Sequence, residues 1–183
     1  MPAPSNNPIR QHLQLLLGAY GFNFYNDVNK ARADDLLVRQ AAGARLGEAA
    51  KALARLEQDY RRDYIPPSTR EHPYPPAEEM AALRAITALK ARVGDIEARL
   101  RGLPAPAQDK IWWRFRDELA TLEALLSCDA LLVEQADLAQ AGTQSLTAAA
   151  WHSGGKARGC LDAALQALEM GIQDRQKLLQ IAR

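Results

Sequence analysis

Residues 46–64 read LGEAAKALARLEQDYRRDY, and this stretch decides the fold class. Its apolar side chains recur at steps of three and four residues: Leu46, Ala49, Leu53, Leu56, Tyr60 and Tyr64. Such a rhythm lines one face of an α-helix that packs on neighbouring helices. No proline occurs from 28 to 64, so the pattern predicts a helix there, about 55 Å long. Gly43 and Gly47 indicate either a kink or a close helix approach.

Further helices follow from the same pattern. We expect long helices over 77–101, over 107–141 and from about 143 towards 183, where Thr143 or Ser145 can cap the last one. Ser153, Gly154 and Gly155 either interrupt that last helix or mark its true start. The short connectors after 101 and 141 indicate antiparallel neighbours.

The chain ahead of residue 28 is less regular. Residues 1–8 hold three prolines and predict a flexible arm, and 9–19 predict a short amphipathic helix. Four aromatic residues then crowd into 20–25, where they can cap one end of the core. The expected fold is therefore all-α, one domain over 1–183: an antiparallel bundle of four long helices plus a short N-terminal helix.

The clearest break is the proline-rich connector at 65–76, IPPSTREHPYPP. Five prolines forbid a helix and favour an extended polyproline II conformation. Long connectors in compact domains are frequently functional, so this one is either an extended strap packed across the bundle or a binding loop. Together with the end of the preceding helix it forms the first candidate interaction or ligand surface, with residues Tyr60, Arg61, Arg62, Tyr64, Arg70, His72 and Tyr74.

A second candidate surface opens the 107–141 helix. Consecutive tryptophans point about 100° apart, so one of them is expected at a helix boundary or an interface. The segment is either an aromatic plug for the bundle or a Trp/Arg binding hot spot. Its residues are Trp112, Trp113, Arg114 and Arg116. In a simple up-and-down bundle this segment shares one end with residues 20–25, and the proline-rich connector shares the other end with Gly142.

Composition removes several classes of protein. The 183 residues include 34 Ala and 26 Leu, with 25% charged side chains and a formal net charge of +1. These values are typical of a soluble globular protein and not of a disordered one. Neither a membrane-spanning run nor the β-branched content of a sheet protein is present. The neutral balance argues against nucleic acid as a partner, and an Arg-mediated nucleic-acid binder remains only a weaker alternative.

The near-zero net charge hides an uneven distribution of charged residues along the chain. Residues 117–137 contain six acids and no base, while arginines cluster elsewhere. This stretch is either a set of solvated helix faces or an acidic face for a basic partner.

The motifs of familiar catalytic and metal sites do not occur. The three histidines, His12, His72 and His152, lack the Glu-x-x-His spacing of carboxylate-bridged di-iron bundles and form no zinc cluster. Gly155-Lys156 is followed by Ala157 instead of the Ser or Thr of a phosphate loop. We therefore predict no catalytic residue, no metal and no cofactor.

The cysteines and one acidic residue carry further predictions. No secretory leader opens the chain, so Cys128 and Cys160 are expected to be reduced, buried thiols in the cytoplasm. A reversal near residue 142 would bring them within about a turn of each other. The same reversal would place Asp129, an acid in an apolar seam, opposite Lys156, either as a buried pair or as a solvated carboxylate.

The functional hypothesis is a non-enzymatic helical bundle that binds another protein as an adaptor, regulator or scaffold, with no membrane association. A homodimer is expected because one stretch is apolar around much of its helix and would need extra cover: Leu36, Leu37, Val38, Ala41 and Ala42. The alternative is an enzyme or small-molecule sensor with its pocket at one bundle end.

Overall fold

The fold is an all-α bundle with four long helices. The computed structural model describes the backbone of residues 28–67, 69–70, 74–103, 118–154 and 157–180, and within these ranges it leaves out the side chains of 28–36, 118–123, 126, 157, 179 and 180. The described helices are α1 (Val28–Tyr64), α2 (Ala77–Arg101), α3 (Glu118–Gln144), α4 (Ala148–His152) and α5 (Ala157–Gln180). The arm, the predicted helix over 9–19 and the aromatic segment lie outside the described residues.

Helix α1 confirms the predicted apolar face between Leu46 and Tyr64, which forms a buried seam along the helix. From Leu46 to Tyr60 every seam residue is at most 4% exposed, and Tyr64 is half-buried. The helix continues unbroken through Gly43 and Gly47. A Cβ on Gly43 would lie 3.2 Å from Arg101 Nε, so here glycine makes room for the Arg101 side chain of α2.

Helix α2 likewise buries one stripe along its length. Its dipole is matched by Glu78 and Glu79 in the first turn and by Arg99 and Arg101 in the last. The predicted stripe is confirmed in full: Leu83, Ile86, Leu89, Val93, Ile96 and Leu100 are buried.

The helices form a square in which α1 packs on α2 and α3, and α5 packs on α3 and more lightly on α2. The expectation that α2 and α3 are neighbours is wrong, because these two helices occupy a diagonal. Connector length alone could not reveal this, since a connector across a diagonal is only slightly longer than one along an edge. An ion pair marks each edge: Glu57–Lys90, Arg45–Asp137, Asp129–Arg175 and Arg92–Glu169.

The reversal between α3 and α5 is displaced from its expected position. Gly142 lies against Leu161, and Gly171 lies against Leu132, so the midpoint of the facing pairs is near residue 152 instead of 142. The reason is the extra helix α4, which Thr147 caps by accepting a hydrogen bond from the Ala150 amide at 3.2 Å. Neither Thr143 nor Ser145 caps a helix start.

The new register corrects two predictions. Asp129 is buried, but it pairs with Arg175 and not with Lys156, which lies outside the described residues. Residue 160 falls opposite residue 143, so Cys128 and Cys160 are not within a turn of each other. Cys128 is half-buried, while Cys160 is exposed because it precedes the buried stripe that begins at Leu161.

The bundle itself covers three of the five residues in the apolar stretch near the start of α1. Val38, Ala41 and Ala42 belong to the hydrophobic core and are at most 5% exposed. A second copy is therefore not needed to cover these residues, and Leu36 lies outside the described side chains. No described helix is long and apolar enough to cross a membrane.

Candidate functional site at the connector end of the bundle

Three stacked rings gather where α1 ends. Tyr60 and Tyr64 are one turn apart on the seam, with ring centroids separated by 4.9 Å. The His152 ring, on the last residue of α4, stacks on Tyr64 at 4.2 Å with an interplanar angle of 16°. The Tyr60 hydroxyl lies 3.2 Å from His152 Nδ1. The seam places the tyrosines, and the short helix α4 carries the histidine to them.

The neighbouring Trp151 fastens α4 to the opposite side. Its indole Nε1 donates a hydrogen bond to the Ala82 carbonyl of α2 at 3.3 Å. The Arg158 guanidinium lies 5.2 Å from the centroid of the Trp151 ring, within the range of a cation–π contact. Helix α4 is thus held by its last two residues, one against α1 and one against α2.

Burial keeps the Tyr60 hydroxyl protonated. Burial raises the pKa of the Tyr60 hydroxyl, and the charge of Glu79 adds to that rise. Tyr60 therefore stays neutral at physiological pH, and its hydroxyl lies within hydrogen-bond distance of the His152 ring. Glu79 Oε2 is buried without a hydrogen-bond partner among the described residues. The sequence pattern did not indicate Glu79 or Trp151 as residues of this site.

A groove of about 450 Å³ opens at the same end of the bundle. It runs between the second half of α1 and the segment that joins α3 to α4. Leu56, Leu146 and Ala148 supply apolar lining, while Arg55 and Asp59 stand among the charged residues of its wall.

The structure divides the predicted site residues into three groups. Tyr60 is 1% exposed and supports the site from inside, whereas Tyr64 is half-buried. Arg61, Arg62, Arg70 and Tyr74 are exposed. The remaining ones lie outside the described residues: His72, Trp112, Trp113, Arg114 and Arg116.

Acids accompany the exposed arginines of α1. Arg62 forms ion pairs with Asp63 at 2.8 Å and with Asp59 at 3.0 Å, and Arg61 lies 3.9 Å from Glu57. The positive charge at this end is therefore partly balanced, which reduces its attraction for phosphate groups.

A second polar cluster is buried between α3 and α5. Arg175 is 0% exposed, and its Nε lies 3.0 Å from Asp129 Oδ1. Arg39 of α1 is also buried and donates to the Leu103 carbonyl. Burial raises the pKa of Asp129 to about 7, and the charge of Arg39 offsets part of this rise. Burial lowers the pKa of Arg175 to about 10.

The Asp129 carboxyl makes stability depend on pH. Its pKa in the folded protein lies above the unfolded value of about 4, so folding takes up a proton between about pH 4 and pH 7. The stabilisation that this proton uptake supplies is complete below about pH 4 and is lost as the pH rises through 7. We expect the stability of the wild type relative to Asp129→Asn to fall over this interval, measured by urea unfolding. A difference that is constant, or that grows with pH, would contradict this assignment.

The other chemistry in the described residues is limited. Burial, and then the charges of Asp129 and Asp174, raises the pKa of the Cys128 thiol, which disfavours the nucleophilic thiolate. No cluster of three metal-ligating side chains occurs in the described part of the chain.

Comparison of the chain with protein-family models, curated protein sequences and solved structures gave no match.

Proposed function

We propose that this protein acts without catalysis, by binding another protein through the connector end of the bundle as an adaptor, regulator or scaffold. The observation that carries the proposal is Tyr74, a large aromatic side chain that is 86% exposed. Tyr74 lies on the connector together with exposed Arg70, and exposed Arg61 and Arg62 lie at the end of α1 beside it. Tyrosine and arginine are enriched among residues that dominate binding energy.

The rigid parts of the site support this role. The Tyr64–His152 stack and the hydrogen bond of Trp151 hold α4 against two helices, so the partner would bind a surface that is already ordered. The neighbouring groove offers apolar lining with a charged rim, which suits side chains of an extended or helical segment. Ion pairs on that rim favour a partner with both charge signs over a phosphate backbone.

We also propose a cytoplasmic location, because the two cysteines are free and one of them is exposed. Such thiols are typical of a reducing compartment.

A double substitution tests the binding surface. Tyr74→Ala with Arg70→Ala removes two exposed side chains and leaves the described core intact, so helicity should not change. We expect loss of at least ten-fold in recovery of a specific partner during affinity purification from the source cell, since a hot-spot truncation costs about 2 kcal/mol or more. The control pair is Lys51→Ala with Gln58→Ala, both exposed on α1. Equal recovery by wild type, test pair and control pair would contradict the proposal.

A small-molecule sensor is the second candidate, and the groove is the observation that favours it. Its volume of about 450 Å³ lies within the usual range for ligand sites, about 300–1,000 Å³. Native mass spectrometry of the protein purified from its source would detect a retained ligand. Leu146→Trp would then displace that ligand by filling the groove, and retention by this variant would contradict the sensor hypothesis.

A further inference from the structure

The outer face of the bundle, formed by the solvent sides of α3 and α5, is unusually apolar. Among the described residues, four large hydrophobic side chains are exposed, and three of them lie on this face. Leu131 is 40% exposed, Leu138 is 53% exposed and Met170 is 52% exposed. Isolated exposed apolar residues are ordinary, but a contiguous group marks a contact surface.

The group follows a second seam that is separate from the core. On α3 and on α5 its positions recur at alternating steps of three and four residues, the spacing of helices that pack lengthwise on others. Each position is half-buried or exposed. The α3 positions are Cys128, Leu131, Gln135, Leu138 and Gly142, and the α5 positions are Cys160, Ala163, Ala167, Met170 and Asp174.

Small residues bring the two halves of this seam together. A Cβ on Gly171 would lie 3.7 Å from Leu131 Cδ2, so Leu131 lies against α5 at the residue that follows Met170. A Cβ on Gly142 would lie 3.5 Å from Leu161 Cβ, which shows the same close approach nearer the reversal. The outer face is therefore continuous across both helices.

Its charge indicates what can cover it. From Leu131 to Gly142 and from Cys160 to Met170 the seam positions carry no charged side chain. The acids of α5 nearest to them are turned to α2, where Asp162 and Glu169 pair with Arg92. A face that meets itself across a two-fold axis must not repel itself. The listed seam positions satisfy this condition, because their one acid, Asp174, lies at the end of the seam and pairs with Lys177. A strongly basic or acidic partner would gain little here.

The size of the seam suits a weak, reversible contact. Its positions span 14 residue steps on each helix, from 128 to 142 and from 160 to 174, which is about 21 Å at about 1.5 Å per residue. With a width of about 20 Å for two adjacent helices, the seam covers about 400 Å². Two such faces would bury about 800 Å² in total, which lies in the range of weak associations.

We propose that a second copy of this chain packs on the outer face, with α3 and α5 of one protomer against α3 and α5 of the other. The resulting interface is a four-helix arrangement across a two-fold axis. This dimer does not depend on the proposed function, because the outer face is separate from Tyr74 and the proline-rich connector.

Light scattering coupled to size-exclusion chromatography tests the dimer with the full chain at about 100 μM. We expect the wild type at twice the 20.1 kDa chain mass, and Leu131→Glu with Leu138→Glu at half the wild-type mass, with unchanged helicity by circular dichroism. The control pair Ala54→Glu with Gln58→Glu adds the same charges to an exposed face of α1 and should remain dimeric.

A wild type that is monomeric at this concentration would overturn the proposal, and so would a dimer that survives both substitutions or is lost in the control pair. If the test pair fails to fold, Met170→Lys serves as the second variant, with the same expected halving of mass. The Tyr74→Ala, Arg70→Ala pair should keep the wild-type mass, so failure of the dimer and failure of the binding function are distinguishable.

Discussion

We expect Arg175→Ala to lower the free energy of unfolding by about 3–5 kcal/mol at pH 8, as determined by urea denaturation. Asp129 is ionised at this pH, and Arg175 is its partner at 3.0 Å inside the bundle. Removal of the guanidinium takes this ion pair from a carboxylate that is 4% exposed, and removing one partner of a buried pair is costly. Natural domains are stable by about 5–15 kcal/mol, so the loss is a large fraction of the total.

Two further variants distinguish the loss of the ion pair from the loss of side-chain atoms. Lys177→Ala on the same helix breaks an exposed pair with Asp174, and it should cost under about 0.5 kcal/mol. The double variant Asp129→Leu with Arg175→Met replaces the pair by apolar groups and should recover most of the loss. An Arg175→Ala cost close to that of Lys177→Ala would contradict the buried pair.

Tyr60→Ala is the second large effect, with an expected loss of about 3–5 kcal/mol. The ring is 1% exposed, stacks on Tyr64 and packs in the core, so truncation leaves a cavity. Tyr60→Phe retains the ring and removes only the hydroxyl near His152, for which we expect about 1 kcal/mol.

Thermal and urea unfolding of the two Tyr60 variants provide the measurement. If Tyr60 were a surface contact, as its place in the first candidate surface suggested, both variants would unfold like the wild type. A loss under about 1 kcal/mol for Tyr60→Ala would therefore contradict the packing described here.

Periodicity predicted much of this fold. The seam from Leu46 to Tyr60 and the stripe of α2 follow directly from their spacing, because burial of one helix face leaves a regular trace in the sequence. Helix α4 leaves no such trace, since five residues are too few to show a period. Its omission displaced the expected reversal by about ten residues along the chain, and with it the partner of Asp129.

The sequence did contain a signal for that partner. Leu161, Leu165, Leu168 and Ile172 step by three and four, and Arg175 continues the same rhythm. A cation and an acid that both occupy buried seams are natural partners, but the pairing depends on register. The candidate site depended on register in the same way, since only the folded chain brings His152 onto Tyr64.

Site-specific photo-crosslinking in the source cell tests the binding proposal most directly. A photo-reactive phenylalanine analogue in place of Tyr74 sits at the most exposed large hydrophobic position among the described residues, and the same analogue at Ala54 probes an exposed face of α1. We predict an adduct between this chain and one other protein from position 74, and none from position 54. The same adduct from both positions, or no protein adduct from position 74, would contradict the account.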